Sequence, residues 1–233
     1  MRKILLVSGC SYTDKNFISS VHPKMYTFWP KWPEILAEKL DMQCINVARS
    51  GTGQEYIFST LLDTIQSVGK ENIGMMIAGW STAARRDYAS GIKQMWSNDR
   101  IDYRGDLEYW INRSVRYYYT FQEISKHLKI PFRQVQMVNL FKSYLWELKE
   151  TGRISGWKEY QTKKREQITK MMNNPYFNLL ESTFIGWPTF EELGGFSIER
   201  HVIGEDYKIS EKDRHPNAEG QKRIAEFLYD RLG

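Results

Sequence analysis

The sequence predicts an α/β protein, a three-layer sandwich in which helices cover both faces of a mostly parallel central sheet. Two observations predict it. Short apolar runs stand at Ile4–Val7, Cys44–Val47 and Ile73–Ala78, each stopped by a cluster rich in Gly and Ser. Such runs fit strands buried on both faces. Between them lie longer stretches with apolar residues at helical spacing, and strands alternating with helices argue for a parallel sheet.

Ile4–Val7 reads as the first strand, ended by Gly9-Cys10-Ser11. The basic start, the apolar run and Val7-Ser8-Gly9-Cys10 also imitate a lipoprotein signal. That reading is set aside because the apolar stretch is shorter than the roughly 7–15 residues of a secretory core. Trp32–Leu40 reads as a helix, with Pro33 where a first turn tolerates it and Ile35, Leu36 and Leu40 on one face. Cys44–Val47 is the second strand, closed by Arg49-Ser50-Gly51-Thr52-Gly53, and a helix follows at about Glu55–Val68. Ile73–Ala78 is the third strand, and Arg85–Arg104 reads as polar and irregular. Leu107–Leu128 is a long helix and Phe132–Leu140 a fourth strand. Residues 141–205 hold a helix at about Trp157–Met172 among loops rich in Trp, Phe and Gly, expected as an insertion or cap on a single domain spanning 1–233. Ala218–Leu232 closes the chain as an amphipathic helix.

Composition narrows the classes of function. With 41% hydrophobic residues the chain buries a full core. The excess of 33 Lys+Arg over 28 Asp+Glu is mild and spread out, so it permits acidic partners without demanding them. Lys163-Lys164-Arg165 falls in a helix with Glu159 and Glu166 nearby, which reads as a solvated helix face rather than a nucleic-acid patch. Two cysteines cannot form a dense disulfide framework. No apolar run approaches the ~20 residues that span a bilayer. A cytoplasmic protein without a transmembrane segment is expected.

Open α/β sheets bind ligands at the carboxyl ends of their strands. There the sequence places Ser11 after the first strand, glycines 51 and 53 after the second, and Ser81 after the third. Asp213-Arg214-His215-Pro216-Asn217 precedes the last helix. A serine hydroxyl needs an imidazole to take its proton, and the imidazole needs a carboxylate to orient it. The oxyanion of an acyl-transfer intermediate needs donors, which glycine-rich strand ends expose. Each residue also has a plainer reading. Ser11 fits a helix cap, the glycines fit a turn, and Asp213 or Asn217 fits the cap of the last helix. Their order along the chain is what favours chemistry.

That order resembles the SGNH/GDSL hydrolases. Gly9-Cys10-Ser11 stands where the family has Gly-Asp-Ser, and Asn46 and Gly51 match its second block in type and spacing. Gly79-Trp80-Ser81-Thr82 stands for Gly-x-Asn-Asp, and Asp213-Arg214-His215-Pro216 for Asp-x-x-His-Pro. The resemblance implies a flavodoxin-like fold and a Ser-His-Asp triad of Ser11, His215 and Asp213. It implies an oxyanion hole from the N–H groups of Ser11 and Gly51 with help from Ser81, and a supporting role for Asn46. It implies no metal and no cofactor. The chain departs from the family at Cys10, at Ser81 in place of Asn, and in the shorter Asp-His spacing. Cys10 is expected to point into protein rather than to compete as nucleophile.

The implied substrate is an ester or thioester, an O-acetylated carbohydrate first among them. Aromatic residues of the middle region, such as Trp96, Tyr103, Trp110, Trp146, Trp157 and Trp187, are expected mostly to pack the core. The alternative is a catalytically silent module of the same fold that binds a glycan or a protein. A nucleotide-binding domain is disfavoured, because Gly51-x-Gly53 lacks the further Gly and the Lys of a phosphate loop.

Overall fold

A computed structural model describes residues 2–90, 95–99, 107–141, 152 and 155–232. In chain order the main elements are β1 (Ile4–Gly9), α1 (Trp32–Lys39), β2 (Gln43–Asn46), α2 (Gln54–Val68), β3 (Ile73–Trp80), β4 (Arg86–Ser90) and β5 (Met95–Asp99). There follow α3 (Leu107–Leu128), β6 (Phe132–Gln136), α4 (Trp157–Met172), β7 (Phe184–Ile185) and α5 (Ala218–Tyr229).

Five strands form one sheet in the order β2-β1-β3-β6-β7, and every neighbouring pair is parallel. The side chains alternate across it, as the two-residue strand period requires. Leu5, Val7 and Ile77 pack toward α1 and α5 with Trp32, Leu36, Ile224 and Leu228. Leu6, Met76, Ala78 and Trp80 pack on the other face with Ile57, Leu61, Ile111, Tyr118 and Phe121 from α2 and α3. The three-layer α/β sandwich expected from the sequence is the observed architecture. β1 is buried along its whole length as an interior strand between β2 and β3.

The helix ends follow capping chemistry. Lys31 N–H donates to Glu34 Oε2 at 3.1 Å ahead of α1. Asn217 caps α5, its Oδ1 accepting from Gly220 N at 2.9 Å. Lys163 and Lys164 of α4 pair with Glu166 and Glu192.

The structure revises two expectations. The stretch read as irregular from Arg85 contains the antiparallel hairpin β4–β5. Part of the 141–205 region belongs to the sheet itself, since Phe184 and Ile185 pair with Gln134 and Val135 of β6 as its edge strand. Tyr103 and Trp146 lie outside the described residues, as does the side chain of Trp96. Trp110 is buried in the core and Trp187 packs against it, while Trp157 is exposed. No described helix is long and apolar enough to cross a membrane.

Candidate active site

Strand order reverses between β1 and β3, because β2 lies on one side of β1 and all later sheet strands lie on the other. Crevices form outside the carboxyl ends of strands at such a reversal. Gly9 of β1 lies in register with Gly79 of β3, so Ser11 emerges at that point.

The loop carrying Ser11 is wound tightly. The amides of Thr13 and Asp14 both donate to the Cys10 carbonyl, at 2.8 and 3.0 Å. A Cβ on Gly9 would sit 2.5 Å from Thr13 Oγ1, so the turn requires glycine there. Cys10 is fully buried in the layer beneath α1 and α5, as expected for a residue facing away from its neighbour Ser11.

His215 reaches the same point from the loop ahead of α5. Its Nε2 lies 2.8 Å from Ser11 Oγ, and its Nδ1 lies 2.6 Å from Asp213 Oδ1. The imidazole lies close to Phe17 and Tyr12, with ring centroids 4.4 and 5.2 Å away, and its side chain stays 30% exposed. Tyr12 donates its hydroxyl to the Arg214 carbonyl at 2.7 Å, tying the serine loop to the histidine loop.

Asp213 is almost wholly enclosed. Burial by itself pushes a carboxyl upward. Here hydrogen bonds from Ser19 and His215 outweigh it and hold Asp213 below the ordinary carboxylate value. Asp213 Oδ1 also accepts the His215 amide at 3.1 Å, and Oδ2 accepts the Ser19 hydroxyl.

The turn after β2 is pinned beside Ser11. Asp14 accepts from the Ser50 amide at 2.8 Å and from the Ser50 hydroxyl at 2.6 Å. Asn46 donates Nδ2 to the Thr13 carbonyl at 2.8 Å, and its Oδ1 accepts the Ala48 amide at 3.1 Å. Gly51 has φ +85°, a conformation that favours glycine. The amides of Ser11 and Gly51 donate to no described residue, whereas the neighbouring Gly53 amide is bound by Asp87 at 2.8 Å. A groove of about 500 Å³, lined by Asp14, Asn46, Val47, Arg49 and Tyr56, opens between the two loops.

Ser81 does not present its hydroxyl to the groove. It is fully buried, and its Oγ accepts from Arg85 Nη1 at 2.8 Å. The same Arg85 nitrogen holds the Thr52 carbonyl at 2.8 Å, so the guanidinium joins the loops after β2 and β3. Ser81, expected as a donor, here accepts in a brace through Arg85.

Sequence reading brought forward Ser11, Asp213, His215, Gly51 and Asn46 but missed Asp14, Phe17, Ser19 and Arg85. Residues 14–31 have neither helical nor strand period, and the Ser19–Asp213 contact spans 194 positions.

No protein-family model and no curated protein matches this sequence. Among solved structures it is similar to that of TesA, with a TM-score of 0.55, 12% identity, and coverage of 99% of this chain and 98% of that one. It is similar to the lipase Lip_vut3 from goat rumen metagenome, with a TM-score of 0.52, 13% identity and coverage of 98% and 97%. A lipolytic protein of the G-D-S-L family from Desulfitobacterium hafniense DCB-2 aligns at a TM-score of 0.49 and 12% identity, over 98% and 99% of the chains. At these identities the likeness is one of fold.

Proposed function

We propose that this chain, which has the fold of the SGNH/GDSL hydrolases, is a serine hydrolase acting on an ester or thioester. The observation that carries the reading is the continuous series Ser11 Oγ, His215 Nε2, His215 Nδ1, Asp213 Oδ1, with steps of 2.8 and 2.6 Å. Both steps fall within the reach a nucleophile and its base require.

In this mechanism Ser11 Oγ attacks the acyl carbonyl as His215 Nε2 takes its proton. Asp213 orients the imidazole and stabilises its charged form. The amides of Ser11 and Gly51, which donate to none of the described residues, hold the oxyanion, while Asp14 and Asn46 keep the turn that carries Gly51 in place. Collapse of the tetrahedral intermediate expels the alcohol or thiol, which receives the proton from His215. Water, activated by the same imidazole, then releases the acid and restores Ser11. Ser81 acts through Arg85 and not on the substrate.

An O-acetylated carbohydrate is the substrate class we favour. The segment that bears Phe17 also exposes Tyr26 and Phe28, with ring centroids 5.6 Å apart. Aromatic faces of this kind suit the apolar faces of sugar rings.

Replacing Ser11 by Ala tests the reading. Hydrolysis of an activated acetate ester should fall by on the order of 10⁴-fold or more, with an unchanged circular-dichroism melt. Full activity in that variant would remove the proposal. One observation favours a second reading, a silent glycan-binding module: the buried Ser81 where the third block has Asn. Wild-type protein that binds acetylated glycan without turning it over would support that module instead.

A further inference from the structure

We propose that Ser19 is a positioning residue of the site, holding Asp213 in the one orientation that serves His215. The inference rests on the triad reading above and extends it to a fourth side chain.

Ser19 is fully buried, and its hydroxyl has a fixed direction. The His22 amide donates to Ser19 Oγ at 2.8 Å, which uses the oxygen as acceptor and leaves the hydroxyl proton for Asp213 Oδ2. Oδ1 faces the other way and takes both the amide and the Nδ1–H of His215. The two carboxylate oxygens therefore have separate duties, one toward the imidazole and one toward Ser19. Without the second contact the carboxylate keeps a buried oxygen with no partner, and turning about its Cβ–Cγ bond would weaken the contact with Nδ1.

The contact is built from two sides. His22 Nε2 lies 2.8 Å from Ser210 Oγ, and Ser210 Oγ accepts the Asp213 amide at 3.1 Å. Thr27 Oγ1 donates to the Phe17 carbonyl at 2.7 Å, closing the base of the segment that carries Ser19. Phe17 meanwhile packs on the imidazole itself. The groups facing Asp213 are thus Ser19, Ser210 and His215, with His22 one step behind.

The test compares Ser19→Ala and Ser19→Thr with wild type. Rates are normalised to the fraction of sites that react with a fluorophosphonate, and His215 is titrated by the NMR signal of its ring proton. The expected result for Ser19→Ala is a roughly tenfold fall in kcat with KM changed less than about twofold. The His215 titration should move to lower pH, because a carboxylate free to turn stabilises the imidazolium less. Ser19→Thr, which keeps the hydroxyl, should restore both. A Ser19→Ala variant whose His215 titrates as in wild type would overturn the proposal, as would a kcat deficit that vanishes on normalisation. The NMR arm does not depend on turnover, so an inactive wild-type protein would count against the hydrolase reading and leave the Ser19 test standing.

Discussion

At the scale of single residues, the site is a problem of keeping a buried charge useful. Asp213 is enclosed, yet Ser19 and His215 hold it in its ionised form. Asp213→Asn keeps the shape and removes the charge. A fall in kcat of about 10⁴-fold is expected, since the amide favours the wrong imidazole tautomer. The same substitution has a signature in stability. A carboxyl held below its ordinary 3.8 stabilises the fold above that pH, and the contribution fades as pH falls through its folded value. Urea midpoints of wild type and Asp213→Asn should therefore converge on acidification. A gap that stays constant down to the acid limit would show that the charge adds nothing to the fold. Of these residues, the sequence disclosed Ser11, Asp213 and His215 by order alone. Ser19 and Asp14 were not legible there, because their roles depend on where an irregular loop returns in space.

At the scale of elements, the turn from β2 into α2 depends on a carboxylate borrowed from elsewhere. Gly53 precedes α2 and offers no side chain to cap it. Asp87 of β4 supplies the cap, accepting from the Gly53 and Tyr56 amides. Burial raises Asp87 above its ordinary value, and these amides only partly offset that. Its ionised form is therefore a cost at neutral pH, relieved as pH falls through its raised folded value and fully gone once pH is below 3.8. Asp87→Ala should lose about 1 kcal/mol of stability, a fall in Tm of about 2–4 °C for a chain of this size. Asp87→Asn keeps an acceptor without the charge and should stay at or above the wild-type Tm at neutral pH. If the alanine variant melts with wild type, Asp87 is not the cap. Helix α3, Leu107–Leu128, and helix α4, Trp157–Met172, were legible because helical spacing marks them over many turns. The hairpin β4–β5 was hidden in a polar stretch, and β7 is only two residues long, defined by its partner β6 rather than by any pattern of its own.

At the scale of the whole molecule, one sheet gathers a hydroxyl from residue 11 and an imidazole from residue 215 to the same crevice. The rigidity of that sheet is what holds them together. Leu6 of β1, fully buried against the α2–α3 layer, carries part of that rigidity. Leu6→Ala should cost about 2–5 kcal/mol, read as a lowered urea midpoint. The architecture was readable from strands and helices in alternation, since burial on both faces leaves apolar runs that little else produces. A covalent probe decides whether Ser11 is the nucleophile. After reaction with a fluorophosphonate and digestion, mass mapping should find a single adduct, on the peptide containing Ser11, and none after Ser11→Ala. An adduct on another residue, or labelling that survives Ser11→Ala, would rule out Ser11 as the nucleophile.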